Sequence, residues 1–115
     1  MHLFAILAIT LTLLAPAARA DAVLLMAEED GCLWCERWNE EIADIYPKTD
    51  EGQKAPLQRY DLHGGKLADV TFATRVHYTP TFILVSDGKK VDRIEGYPGE
   101  DFFWGLLSEL IAKIE

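Results

Sequence analysis

Two cysteines, three histidines and eleven basic residues are all that this chain of 115 amino acids holds of those types. Two cysteines cannot build a disulfide-dense scaffold, and alone they cannot fill a tetrahedral zinc site. Eleven Lys and Arg against nineteen Asp and Glu give a formal charge of −8. That balance excludes a general binder of nucleic acid or anionic membrane, because both need dense positive charge. There is no internal repeat, low-complexity tract or linker, and the length suits one domain. What stands out is the spacing of the two cysteines, Cys32-Leu33-Trp34-Cys35.

Residues 3–15 form an uncharged apolar run, shorter than the roughly 20 residues needed to span a bilayer. It is followed by Pro16 and by Ala18-Arg19-Ala20, the small-residue pattern of a secretory cleavage site. Residues 1–20 are therefore expected to be a signal peptide cleaved after Ala20, with an uncleaved anchor as the rival. The mature domain would span 21–115. Without Arg19 it carries ten bases against nineteen acids, a charge of −9.

The mature chain alternates strand and helix patterns. The continuous apolar run 22–27 suits a central strand covered on both faces. After Glu29-Asp30-Gly31, Trp34, Trp38, Ile42 and Ile45 recur at helical spacing opposite Glu36, Glu40 and Asp44, and Pro47 stops the helix. The polar stretch 48–56 reads as a loop, 57–62 as a second strand and 67–76 as a short helix. Residues 81–85 form a third strand, Asp87-Gly88 a two-residue hairpin turn, and 91–95 a fourth strand. Phe103, Leu106, Leu107, Leu110, Ile111 and Ile114 mark a closing amphipathic helix entered through Tyr97-Pro98-Gly99, with Glu100 and Asp101 in its first turn. Trp38 and Trp104 are expected in the core. The order is β-α-β-α-β-β-α, an α/β domain.

A strand, a short turn and then Cys32 at the start of a helix place that thiol among free N–H groups and at the positive end of the helix dipole. Cys32 is thus expected to be the exposed nucleophile, with Cys35, one turn on, as the buried resolving thiol. A purely structural disulfide is the weaker reading, since so small a ring removes little unfolded-state entropy. Copper or zinc handling would need further ligands, and only His63 and His77 remain after cleavage. Pro80 is compatible with a trans bond at a strand's first residue. Sequence alone favours that trans form; the alternative is a cis bond that presents the backbone of Thr79 to an extended substrate. Trp34, between the cysteines, either shields the disulfide or meets a partner.

Cys32-Leu33-Trp34-Cys35 after the first strand, Thr79-Pro80 before the third and Gly96 after the fourth resemble the thioredoxin superfamily. More narrowly, Gly31 to Asn39, Ile45-Tyr46-Pro47-Lys48-Thr49 and the string from Glu95 to Trp104 resemble periplasmic thioredoxins encoded with bacterial sulfur-oxidation enzymes. The resemblance implies a minimal thioredoxin fold with a four-stranded mixed sheet, the first strand central, and a cis Pro80. It also implies a periplasmic thiol–disulfide oxidoreductase that keeps a sulfur-carrier protein in its thiol state; the chain is expected to act as a monomer. A membrane thiol transporter would be the electron donor, and no cofactor, metal or nucleic acid would take part. Cys32 and Cys35 would form the redox-active disulfide, with Thr79, Pro80 and Trp34 contacting substrate. The family's buried acid is Met26 here, which leaves Glu28 or Glu29 as candidates for a proton relay to Cys35. The alternatives are a disulfide oxidase or isomerase of Dsb type and, in a different class, a copper- or zinc-binding chaperone or regulatory module. Nine acids and two bases in residues 28–51 give −7 of the mature charge. That concentration opposes the acidic thiol of a strong oxidant and favours a protein partner with a neutral or basic rim.

Overall fold

The computed structural model describes residues 22–64 and 75–115, together with Thr12. Apart from Thr12, the expected signal peptide therefore lies outside the described residues. So does the helix expected at 67–76, except for Arg75 and Val76, which are irregular.

The elements are β1 (Ala22–Glu28), α1 (Leu33–Trp38), α2 (Asp50–Lys54), β2 (Leu57–Asp61), β3 (Thr81–Ser86), β4 (Lys89–Glu95) and α3 (Glu100–Ala112). The strands form one sheet in the order β2-β1-β3-β4. β1 runs parallel to β2 and antiparallel to β3, and β4 returns antiparallel to β3. The parallel pair needs a crossover, supplied by the helical segment between them. Asp87 and Gly88 take φ values of 52° and 76°, so both central residues of the β3–β4 turn have the positive φ of a twist-matched tight hairpin.

β1 is an interior strand, and Leu24, Leu25, Met26 and Ala27 are all essentially inaccessible. Alternation divides them between the faces. Leu24 and Met26 join Trp38, Ile42, Phe82, Leu84, Phe103 and Leu107 in the main core, while Leu25 packs with Ile83 and Val85 on the other face. The main core is centred on rings. Trp38 lies 5.3 Å from Phe82 and 5.8 Å from Phe103, and Phe82 meets Phe103 edge-on at 4.9 Å. Trp104 is only half-buried and stacks on Tyr46 at 6.1 Å.

The first helix departs from its expected form. α-Helical hydrogen bonding covers Leu33–Trp38 and widens into a π-helical turn at Asn39–Ala43; Pro47 then sits inside a separate 3-10 turn, Tyr46–Lys48. The local rewinding turns Ile45 to solvent although it fits the apolar spacing, while Trp38 and Ile42 stay in the core. The stretch 48–56 is not a plain loop, because it contains α2. Thr49 caps that helix, its Oγ1 accepting from the Gly52 N–H at 3.0 Å and donating to the Tyr46 carbonyl at 2.7 Å. Gly52 is buried against Tyr46 and Pro47, where a Cβ would fall 1.8 Å from the Tyr46 carbonyl oxygen. The Tyr46 hydroxyl in turn donates to the Ala55 carbonyl at 2.6 Å. This cluster fixes the crossover that returns the chain to β2.

Candidate active site

Register places four loops at one end of the sheet. Glu28 pairs with Asp61, Ala27 with Thr81, and Thr81 with Glu95. The chain leaving β1 towards the cysteines, the turn after β2, the loop before β3 and the turn after β4 therefore share that edge.

Cys32 and Cys35 are joined by a disulfide, with Cα atoms 5.2 Å apart. Cys32 is the N-cap of α1, in extended conformation, and its Sγ accepts from the Cys35 N–H at 3.1 Å. Its carbonyl begins the helix by accepting from the Glu36 N–H. An N–H aimed at a sulfur favours the thiolate over the thiol when the bond is reduced. Exposure follows the expected order but not its extent: Cys32 is 9% accessible and Cys35 4%, so both residues are largely covered. The fold turns Cys32 inward as a cap and leaves Leu33 and Trp34 outermost, at 69% and 50%.

Trp34 is held rather than loose. The Arg37 guanidinium lies 5.7 Å from its ring centroid. Arg37 Nε also donates to Glu41 at 3.0 Å, and the Tyr97 hydroxyl donates to the other oxygen of that carboxylate. The Tyr97 hydroxyl, ahead of the Arg37 contact, holds the Glu41 carboxyl below its usual range. Burial, reinforced by Glu41, pushes the Tyr97 phenol well above its usual range. Between α1 and the 97–100 turn runs an open groove of about 520 Å³ with Trp34 at its lip. Tyr97, which reads in the sequence as part of a helix-entry turn, is thus also a wall of this groove. Gly99 is the N-cap of α3, as the entry-turn reading expects.

The Thr79–Pro80 bond is cis. Pro80 is buried, and its carbonyl accepts from the Gly96 N–H at 2.7 Å, which joins the loop before β3 to the turn after β4. Thr79 Oγ1 donates to Glu29 Oε1 at 2.6 Å, and Glu29 Oε2 lies 2.8 Å from His63 Nε2. Those two contacts, Thr79 first, lower the Glu29 carboxyl from its usual range. Glu28 is paired with Arg59 at 2.6 Å. Arg59 also reaches Met26 Sδ at 3.7 Å and lies over the Trp38 ring at 5.4 Å. Met26, which replaces the buried acid that the resemblance implies, thus has a cation beside its thioether. Arg59 is set by its cross-strand register with Met26, a pairing no linear motif reveals. Among the described residues no three His, Cys, Asp or Glu come together to hold a metal, and no helix is long and apolar enough to cross a membrane.

The solved structure of the reduced periplasmic thioredoxin SoxS from Paracoccus pantotrophus is 48% identical over 82% of this chain and 99% of its own, with a TM-score of 0.79. A mutant thioredoxin from Halobacterium salinarum is 25% identical, covering 78% of this chain and 74% of its own at a TM-score of 0.58. Fasciola hepatica thioredoxin, at 20% identity, shares the fold over 76% of this chain and 79% of its own, with a TM-score of 0.59. No family model and no curated protein sequence matches the chain.

Proposed function

The chain belongs to the thioredoxin superfamily and is a thiol–disulfide oxidoreductase, and on that premise we propose that it acts as a periplasmic reductase of a partner protein's cysteine. The observation that carries the reading is the Cys32–Cys35 disulfide at the start of α1, with the Cys35 N–H directed at Cys32 Sγ, in a chain half identical to a periplasmic thioredoxin.

In the reducing direction the Cys32 thiolate attacks one sulfur of the partner's disulfide. A mixed disulfide forms, and the other partner sulfur leaves as a thiolate and takes a proton. The deprotonated Cys35 sulfur then attacks Cys32 Sγ, which breaks the mixed bond and releases the second partner sulfur. Two electrons pass from the cysteine pair to the partner, and Cys32–Cys35 is left oxidised. Thr79 and Pro80 dock the partner's extended backbone, and Trp34 covers the apolar side of its cysteine. Export through residues 1–20, a sulfur-carrier protein of thiosulfate oxidation as partner and a membrane thiol transporter as electron donor complete the reading.

Cys35→Ser stops the resolving step, so the variant expressed in the periplasm should hold the sulfur-carrier protein on Cys32 through a mixed disulfide. Capture of unrelated secreted proteins alone would count against this partner. Equilibration with defined thiol buffers checks direction, since a potential near about −120 mV would mark a dedicated oxidant rather than a reductase.

A further inference from the structure

We propose that Glu29 is a positioning residue that latches the Thr79–Pro80 loop to the turn before the cysteine pair, and so sets how a protein disulfide is presented to Cys32. The inference rests on the reductase reading and adds to it the residue that holds the docking loop in place.

Glu29 is the first residue past β1, three positions before Cys32. One of its carboxylate oxygens accepts from Thr79 Oγ1 at 2.6 Å, and the other meets His63 Nε2 at 2.8 Å. A single side chain therefore joins the cysteine turn, the loop before β3 and the turn after β2. Two neighbouring acids are engaged elsewhere. Glu28 pairs with Arg59, and Asp61 Oδ1 accepts from the His63 N–H at 2.8 Å. The loop's other fastenings run towards its own strand and β4: Thr81 Oγ1 donates to the Tyr78 carbonyl, and the Gly96 N–H to that of Pro80. Those bonds shape the loop, whereas Glu29 ties it to the turn that carries the nucleophile. The lowered carboxyl is consistent with this, since an ionised Glu29 remains an acceptor throughout the neutral range. In the reductase reading this loop docks the partner's backbone and carries no electrons. Loss of the latch should accordingly appear in substrate docking and not in the redox couple itself.

The test uses the full chain, with insulin as protein disulfide and dithiothreitol as electron source. Glu29→Ala and Thr79→Val should each raise KM about fivefold, the worth of one net hydrogen bond, and move kcat by less than about twofold. The double variant should be no worse than the weaker single, because both remove the same bond. Glu29→Gln and Thr79→Ser keep an acceptor and a donor and should restore most of the wild-type KM. In Thr79→Val, which changes no charge, the reduction potential should match that of the parent. Effects that multiply in the double variant, an unmoved KM, or a loss of activity that follows the potential would overturn the latch. A wild-type chain inert towards insulin would instead sink the reductase reading on which it stands.

Discussion

Replacing Gly52 by alanine should strongly destabilise the protein, and the same replacement at Gly105 should stabilise it. An added Cβ at Gly52 lies 1.8 Å from the Tyr46 carbonyl oxygen, 2.7 Å from its carbon and 3.1 Å from Pro47 Cα. Non-bonded heavy atoms rest near about 3.5 Å, so the worst overlap exceeds 1 Å by a wide margin. All three obstructing atoms are backbone, and no rotamer change can relieve them. Moving Tyr46 would also strain its bond to the Ala55 carbonyl and its ring packing with Trp38 and Trp104. Overpacking of this kind costs about 3 kcal/mol, and the better helix propensity of alanine returns about 1 kcal/mol at most. A net loss of about 2 kcal/mol lowers Tm by about 8–16 °C in a domain of this size. Gly105 lies exposed within α3 with nothing near its added Cβ, so only the propensity gain of about 1 kcal/mol applies and Tm should rise by about 4–8 °C. Thermal melts and urea unfolding of the oxidised proteins, followed by circular dichroism, read both variants. A Gly52→Ala protein melting within about 2 °C of the parent would refute the claim that this glycine is required by close backbone approach.

Thr49→Ala removes the cap of α2 and should cost about 1 kcal/mol in urea unfolding, with little change on Thr49→Ser. The Glu41 carboxyl is depressed in the folded state by Tyr97 and then by Arg37, so its contribution is present above the unfolded value of 4.5 and fades as pH falls through the lower folded value. Tyr97→Phe should therefore raise the Glu41 titration midpoint followed by carboxyl carbon NMR, and Glu41→Gln should lose less stability between pH 7 and pH 3 than the parent does. A midpoint unmoved by Tyr97→Phe would show that the hydroxyl does not hold this carboxylate.

Much of the fold is legible in the sequence because its signals are local. The apolar run of β1, the Asp87-Gly88 turn and the apolar periodicity of α3 each state their structure within a few residues. α2 is harder to read, since its five residues include a glycine and its main marker is a capping threonine. Its glycine is needed by the approach of Tyr46 and Pro47, a contact made only once the crossover has folded. The π-helical turn and the exposure of Ile45 likewise follow from packing rather than from periodicity.

The cysteine pair, its place at a strand-to-helix junction and the kinship with thioredoxins were determined by the sequence alone, because both cysteines and the helix start lie within four consecutive residues. The surroundings of that pair are a different matter. Arg59 beside Met26, Tyr97 on Glu41 and Glu29 between Thr79 and His63 join residues 33 to 56 positions apart. Strand register and the turn after β4 bring these partners together, and no linear spacing encodes them. The chemistry belongs to a contiguous motif, whereas the setting in which it operates is created by the sheet.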